Sequence, residues 1–115
     1  KEAVNLSSAA VAPDVDEFEL AGLEKAPCVN VAVPRVAASP VSIECVLNTV
    51  LPLTTRSGLK GDSEIVIGEV VGVHIADRVI VDGRLDIGLI RPLSRLGYLD
   101  YATIDSVFQL RRPAD

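Results

Sequence analysis

The sequence predicts a mainly β, antiparallel domain, and three observations carry that prediction. Apolar residues form 49% of the 115-residue chain and aromatics only 3%, so the interior has to be built from Val, Ile, Leu and Ala, a mixture that favours strands. The middle and end of the chain carry period-two runs of β-branched residues bounded by Gly, Pro and Asp. Between those runs there is no helical crossover of the roughly dozen residues that a parallel sheet requires, so hairpins and loops must join the strands. The length suits a single domain over residues 1–115, and one hydrophobic core is expected.

Taken in order, residues 2–24 hold six acidic residues and no basic one, and they carry the one convincing helix signal, Pro13 to Gly22. Asp14 is the expected cap, Asp14 with Glu17 forms a capping-box variant, and Gly22 is the expected stop. Pro27, Pro34 and Pro40 punctuate the next segment, in which Val29 to Val33 reads as a short edge strand. From Ser42 to Thr49 the residues alternate, with Ile43, Cys45 and Leu47 on one face. Thr54 to Asp62 reads as a loop, and Glu64 to Ile75 is the longest strand expected. Asp82-Gly83 between Val79-Ile80-Val81 and Leu85 marks a tight hairpin turn. Leu89 to Asp100 reads as a loop, and Thr103 to Arg111 as a final alternating strand. About four or five strands with little helix point to an antiparallel barrel or sandwich.

Charge and motifs exclude several function classes. A net charge of −5 with no Lys/Arg cluster repels phosphate backbones, so nucleic acid is not expected as a partner. No apolar run approaches the roughly 18 residues of a membrane span, no signal peptide is recognisable, and the expected compartment is the cytoplasm. Walker loop, dinucleotide fingerprint and nucleophile elbow are all missing. Cys28 and Cys45, 17 positions apart, read as buried free thiols. The single histidine, His74, has no Cys or His near it in sequence, so no metal site is expected.

Two features can carry chemistry. In Gly68-Glu69-Val70-Val71-Gly72-Val73-His74, unbroken alternation would place both glycines on the face of the histidine. They either clear room for a ligand beside the imidazole or mark a bulge next to a surface histidine. The stretch Arg91-Pro92-Leu93-Ser94-Arg95-Leu96-Gly97-Tyr98-Leu99-Asp100-Tyr101 gathers two arginines and both tyrosines of the chain. It is either a nucleotide-binding loop or a surface loop with a tyrosine plugging the end of the barrel.

Asp16-Glu17-Phe18-Glu19-Leu20-Ala21-Gly22-Leu23, then Val33-Pro34-Arg35-Val36 with Ser39-Pro40 and Glu44-Cys45, then Gly68-Glu69-Val70-Val71 with His74, then Pro92-Leu93-Ser94-Arg95-Leu96-Gly97 with Tyr101, resemble the ordered blocks of the flavin-reductase-like family, in the branch found beside flavoprotein oxygenases. The resemblance implies a split β-barrel that dimerises, with FMN at the dimer interface. It implies an FMN-binding, NAD(P)H-dependent flavin reductase, with NADH or NADPH as co-substrate and in some members a flavin-dependent oxygenase that receives the flavin. A non-catalytic FMN-binding or electron-transfer protein is the alternative it leaves open. Arg95, Gly97 and Tyr101 match the family's cofactor-binding loop, and His74 matches a histidine on the strand that faces the cofactor, which makes it the catalytic candidate. Tyr98 departs from the pattern, since a second glycine commonly follows the one matched by Gly97. The family's first barrel strands have no counterpart in these residues, so the chain is expected to be the carboxyl-terminal portion of such a barrel.

Overall fold

The richest β-branched stretches of the chain fold into one long antiparallel ribbon in the computed structural model, which describes residues 1–113. Strands β3 (Val41–Thr54) and β4 (Lys60–Ile75) pair from Val41↔Ile75 to Thr54↔Lys60. The turn between them is shorter than the loop expected from sequence. Thr55 N–H donates to the Leu59 carbonyl, Gly58 N–H to the Thr55 carbonyl, and Gly58 takes the left-handed φ of 80°.

The ribbon is not regular. Glu44 faces Gly72 and Cys45 faces Val70, so Val71 is an extra residue on β4. Asn48 is likewise extra on β3, between Leu47↔Gly68 and Thr49↔Ile67. Each extra residue breaks the period-two alternation and increases the local twist.

Short pairs flank the ribbon. Strands β1 (Lys25–Ala26) and β2 (Arg35–Val36) form one, β5 (Ile80–Val81) and β6 (Arg84–Leu85) a second, and β7 (Leu93–Arg95) and β8 (Tyr101–Thr103) a third, all antiparallel. The mainly β, antiparallel expectation therefore holds. The Asp82-Gly83 turn is where the sequence put it, with φ of 50° and 72° at the two residues, the combination that a two-residue hairpin of matching twist demands. A 3₁₀ turn over Asp77–Val79 links β4 to β5.

Several expectations change. The helix expected over Pro13 to Gly22 is the single turn α2 (Glu17–Leu20), because Asp16 rather than Asp14 caps it by accepting from Phe18 N–H at 2.9 Å. Gly22 does stop it: with φ 63°, it lets Leu23 N–H reach the Phe18 carbonyl and its own N–H reach that of Glu19. Two further short helices, α1 (Glu2–Leu6) and α3 (Ile87–Ile90), were not anticipated. Val29 to Val33 is the bent connection between β1 and β2 rather than a strand. The expected last strand, Thr103 to Arg111, ends after Thr103, since the residues beyond have no partner strand among those described.

The expected core is the largest departure. Among the described residues Val79 is the one buried apolar side chain, while Ile43, Leu47, Val70 and Val73 on the ribbon are more than half exposed. A two-stranded ribbon has two faces and no second layer here to cover either. Cys45 is accordingly exposed and Cys28 only half-buried, both as free thiols. Among the described residues no helix is long and apolar enough to cross a membrane.

A Cβ at Gly83 would meet nothing within 4 Å, so the cost of Gly83→Ala is conformational alone. We expect a loss of about 1 kcal/mol, read from urea unfolding. A variant as stable as the parent would mean that the hairpin does not hold its left-handed turn.

Candidate functional site

A lone acidic residue in an apolar strand organises the first site. Glu44, between Ile43 and Cys45 on β3, is 2% exposed and is the buried charged group among the described residues. Burying a carboxylate is costly unless donors surround it. Here Val29 N–H donates to Oε1 at 2.7 Å, Asn30 N–H donates to Oε2 at 2.6 Å, and His74 Nε2 makes a short hydrogen bond to Oε1. These donors, the Val29 amide first and His74 second, hold the Glu44 carboxyl at about 2 against an ordinary 4.5, although desolvation acts the other way. An ionised carboxylate only accepts, so His74 Nε2 carries the proton.

The bulge at Val71 decides the glycine question. A Cβ at Gly72 would stand 2.6 Å from Asn30 Nδ2 and 3.3 Å from the Glu44 carboxyl carbon, whereas one at Gly68 would meet Cys45 Cβ at 3.0 Å. Glu44 and Cys45 are successive strand residues and point to opposite faces. Gly72 therefore shares the His74 face and Gly68 does not, and the room at Gly72 is taken by Asn30 and Glu44 rather than left for a ligand.

The same face brings Cys28 to within 4.8 Å of Glu44 and His74 by their ligand atoms, a grouping of metal-binding residue types that sequence spacing did not reveal. In this arrangement the donor set is engaged elsewhere. Glu44 already accepts three hydrogen bonds, and His74 Nε2 faces the carboxylate. Burial pushes the Cys28 thiol up, the Glu44 charge adds to that, and the Arg35 charge only partly opposes it. Glu44 and His74 form a hydrogen-bonded pair with the Cys28 thiol beside them.

His74, 24% exposed at its side chain, also lines a cleft of about 710 Å³ with Arg35, Ser39, Asp77 and Arg78. Glu44 is the residue that sequence reasoning missed as a site member. The available signal was a single acid inside the apolar run Ile43 to Leu47.

The second site is the β7–β8 hairpin. Arg95 and Tyr101 are directly opposed across the ladder, and Arg95 Nη1 donates to the Tyr101 hydroxyl at 2.8 Å. Its Nη2 donates to the Tyr98 carbonyl at 2.7 Å, and the guanidinium carbon lies 5.3 Å from the Tyr101 ring centroid. Leu96 N–H to the Asp100 carbonyl and Asp100 N–H to the Gly97 carbonyl close the turn. Tyr98 holds φ 53° and is 95% exposed. Beside the pair lies a recess of about 240 Å³ lined by Lys1, Val4, Asn5, Leu93, Leu99 and Tyr101. The structure thus brings Arg95, Gly97 and Tyr101 together in one hairpin, while His74 lines a different cleft.

Comparison with known proteins gives this geometry a family. The model of the flavin reductase like domain matches residues 1–87, a stretch that holds Glu44 and His74 and stops short of Arg95. An uncharacterized protein of Halalkalibacterium halodurans is 38% identical over 112 residues, covering 97% of this chain and 53% of that protein. Nitrilotriacetate monooxygenase component B from Bacillus cereus superposes with a TM-score of 0.84 at 31% identity, over 94% of this chain and 53% of that one. A split-barrel protein from Shewanella frigidimarina assigned to the flavin reductases superposes with a TM-score of 0.77 at 27% identity, over 97% and 55%. The chain spans about half the length of these relatives. Its antiparallel arrangement is that of split-barrel proteins.

A carboxylate whose value is lowered by folding stabilises the fold above its ordinary value and loses that contribution as pH falls, here between about 4.5 and about 2. In Glu44→Gln an amide nitrogen would face a backbone N–H. We expect the melting temperature at neutral pH to drop by roughly 5 °C or more. The acid limb of a plot of melting temperature against pH should flatten in that window. Circular dichroism melts from pH 7 to pH 2 test this, and an acid limb identical to the parent's would show that Glu44 is not the group whose protonation loosens the fold.

Proposed function

The chain belongs to the flavin reductase-like family, and on that premise we propose that its protein is an FMN-binding flavin reductase that uses NADH or NADPH. The observation that carries the reading is the likeness, over nearly the whole chain, to a monooxygenase component. The same likeness nominates a flavin-dependent oxygenase as a partner that receives reduced flavin. A homodimer belongs to this reading as well, since the apolar side chains exposed on both faces of the ribbon require a cover.

The residues present suit a flavin. An apolar recess beside a phenol and a guanidinium matches a planar heteroaromatic with an anionic tail. Arg95 uses Nη1 and Nη2 once each within the hairpin, which leaves further donors of its five for a ligand. When bound, the flavin supplies the hydride acceptor, and the protein need furnish no nucleophile. In this reading Arg95 binds and orients, and Tyr101 holds the guanidinium in place while presenting a ring face. Glu44 fixes the His74 ring through Nε2, so His74 presents one defined orientation and tautomer to the cleft.

Gly97 offers a clean probe, because a Cβ there would meet nothing within 4 Å and the residue does not need a left-handed φ. Gly97→Ala should leave stability unchanged and weaken FMN binding only if the flavin approaches that backbone. Arg95→Ala, losing a charge-assisted hydrogen bond, should weaken FMN binding by about one to two orders of magnitude. Arg95→Lys should recover part of the loss. His74→Ala should slow NAD(P)H oxidation per folded molecule with FMN affinity retained. Flavin-fluorescence titrations and NADH oxidation with added FMN in the intact protein check these outcomes. FMN bound without any NAD(P)H oxidation would favour a non-catalytic flavin carrier. Affinities within twofold of the parent in Arg95→Ala and Gly97→Ala would remove the hairpin from the site.

A further inference from the structure

The cleft beside His74 holds two cations that the fold leaves unanswered. Arg35 comes from β2 and Arg78 from the 3₁₀ turn, and neither makes an ion pair or a side-chain hydrogen bond to another described residue. Arg35 is only half-buried, yet its Nε is enclosed without an acceptor. That nitrogen is shut away from the cleft, but the Arg35 Nη groups are accessible and likewise make no hydrogen bond among the described residues, so they are the donors a ligand can meet. In a chain of net charge −5, acids are plentiful. Even so, Asp77 is the one carboxylate lining the cleft, against Arg35, Arg78 and the histidine.

The other polar groups narrow the ligand. Ser39 Oγ donates to the Val41 carbonyl at 2.6 Å, and His74 Nε2 is committed to Glu44. The strong donors left in the cleft are therefore two guanidinium forks carried on separate elements. A planar fork matches a carboxylate or a phosphoryl group in bidentate fashion. A single carboxylate would answer only one fork, whereas two linked phosphoryl groups present an acceptor set to each. A volume of about 710 Å³ is the size that holds a nucleotide-scale ligand rather than a small ion. We propose that this cleft is an anion site for the diphosphate of a dinucleotide, with Arg35 and Arg78 as its two binding groups. The identification of that dinucleotide as NADH or NADPH rests on the reductase reading above. It would set the reductant's diphosphate in the cleft that His74 lines.

The test uses the intact protein saturated with FMN, titrated calorimetrically with pyrophosphate and with ADP at low salt. Both should bind, Arg78→Ala should weaken each about tenfold, and Arg35→Ala/Arg78→Ala should abolish binding. Asp77→Asn should tighten it a few-fold by removing the opposing charge. Arg78 is exposed on a surface turn, so Arg78→Ala should keep the parent's thermal melt and serves if the Arg35 variant does not fold. In turnover assays, Arg78→Ala should raise KM for NAD(P)H tenfold or more with FMN affinity within twofold of the parent. Pyrophosphate affinity in Arg78→Ala within twofold of the parent would overturn the proposal. So would a loss of FMN affinity with KM unchanged, which would give the cleft to the flavin phosphate. An intact protein that binds pyrophosphate through these arginines but oxidises no NAD(P)H would sink the reductase reading and leave the diphosphate site standing.

Discussion

Everything that positions a functional group on the ribbon runs through the buried Glu44 carboxylate. It is the point at which the β1–β2 connection, through Val29 N–H and Asn30 N–H, is tied to β3, and at which β4 is tied to both through His74. A charge in such a place is tolerable only when nearly every lone pair has a donor. The requirement propagates outward. Gly72 must lack a side chain because Asn30 and the carboxylate occupy that space, and the bulge at Val71 must fall where it does so that Gly72 and His74 lie on the Glu44 face. The connection from Val29 to Val33 gives up strand geometry for the same reason, since its amides serve a side chain instead of a ladder.

That dependence explains what the sequence disclosed and what it withheld. Period-two alternation and turn chemistry are local, and so the ribbon, the Asp82-Gly83 hairpin and the stop at Gly22 were all legible. An inserted residue such as Val71 leaves no local mark, because Val70 and Val71 fit a strand equally well. One extra residue nonetheless moved Gly68 to the opposite face from His74. The Asp14 and Asp16 caps were indistinguishable by type, and Lys25, which pairs with Asp16, lies nine positions along the chain. The expected strand from Thr103 failed differently: Ile104, Ser106, Phe108 and Leu110 alternate correctly, but a strand exists only where another strand offers a ladder.

The site was legible in the same uneven way. Arg95 and Tyr101 were nominated by composition and resemblance, and register then made them a cross-strand pair with a hydrogen bond. Glu44, Cys28 and His74 are separated by 16 and 30 positions, and nothing short of the folded ribbon joins them. Arg35 stands in the sequence only as one residue of a motif, and its lack of an ion pair among the described residues is a property of three dimensions alone.

Tyr98 links the sequence departure to the backbone. Where relatives of this resemblance commonly carry a second glycine, the chain places a tyrosine at φ 53°, a conformation that costs an ordinary L-residue about 1–2 kcal/mol. The strain is not repaid by burial, because the side chain is 95% exposed, and its carbonyl, which accepts from Arg95, would be supplied equally well by glycine. Local stability therefore gives no reason for the aromatic side chain.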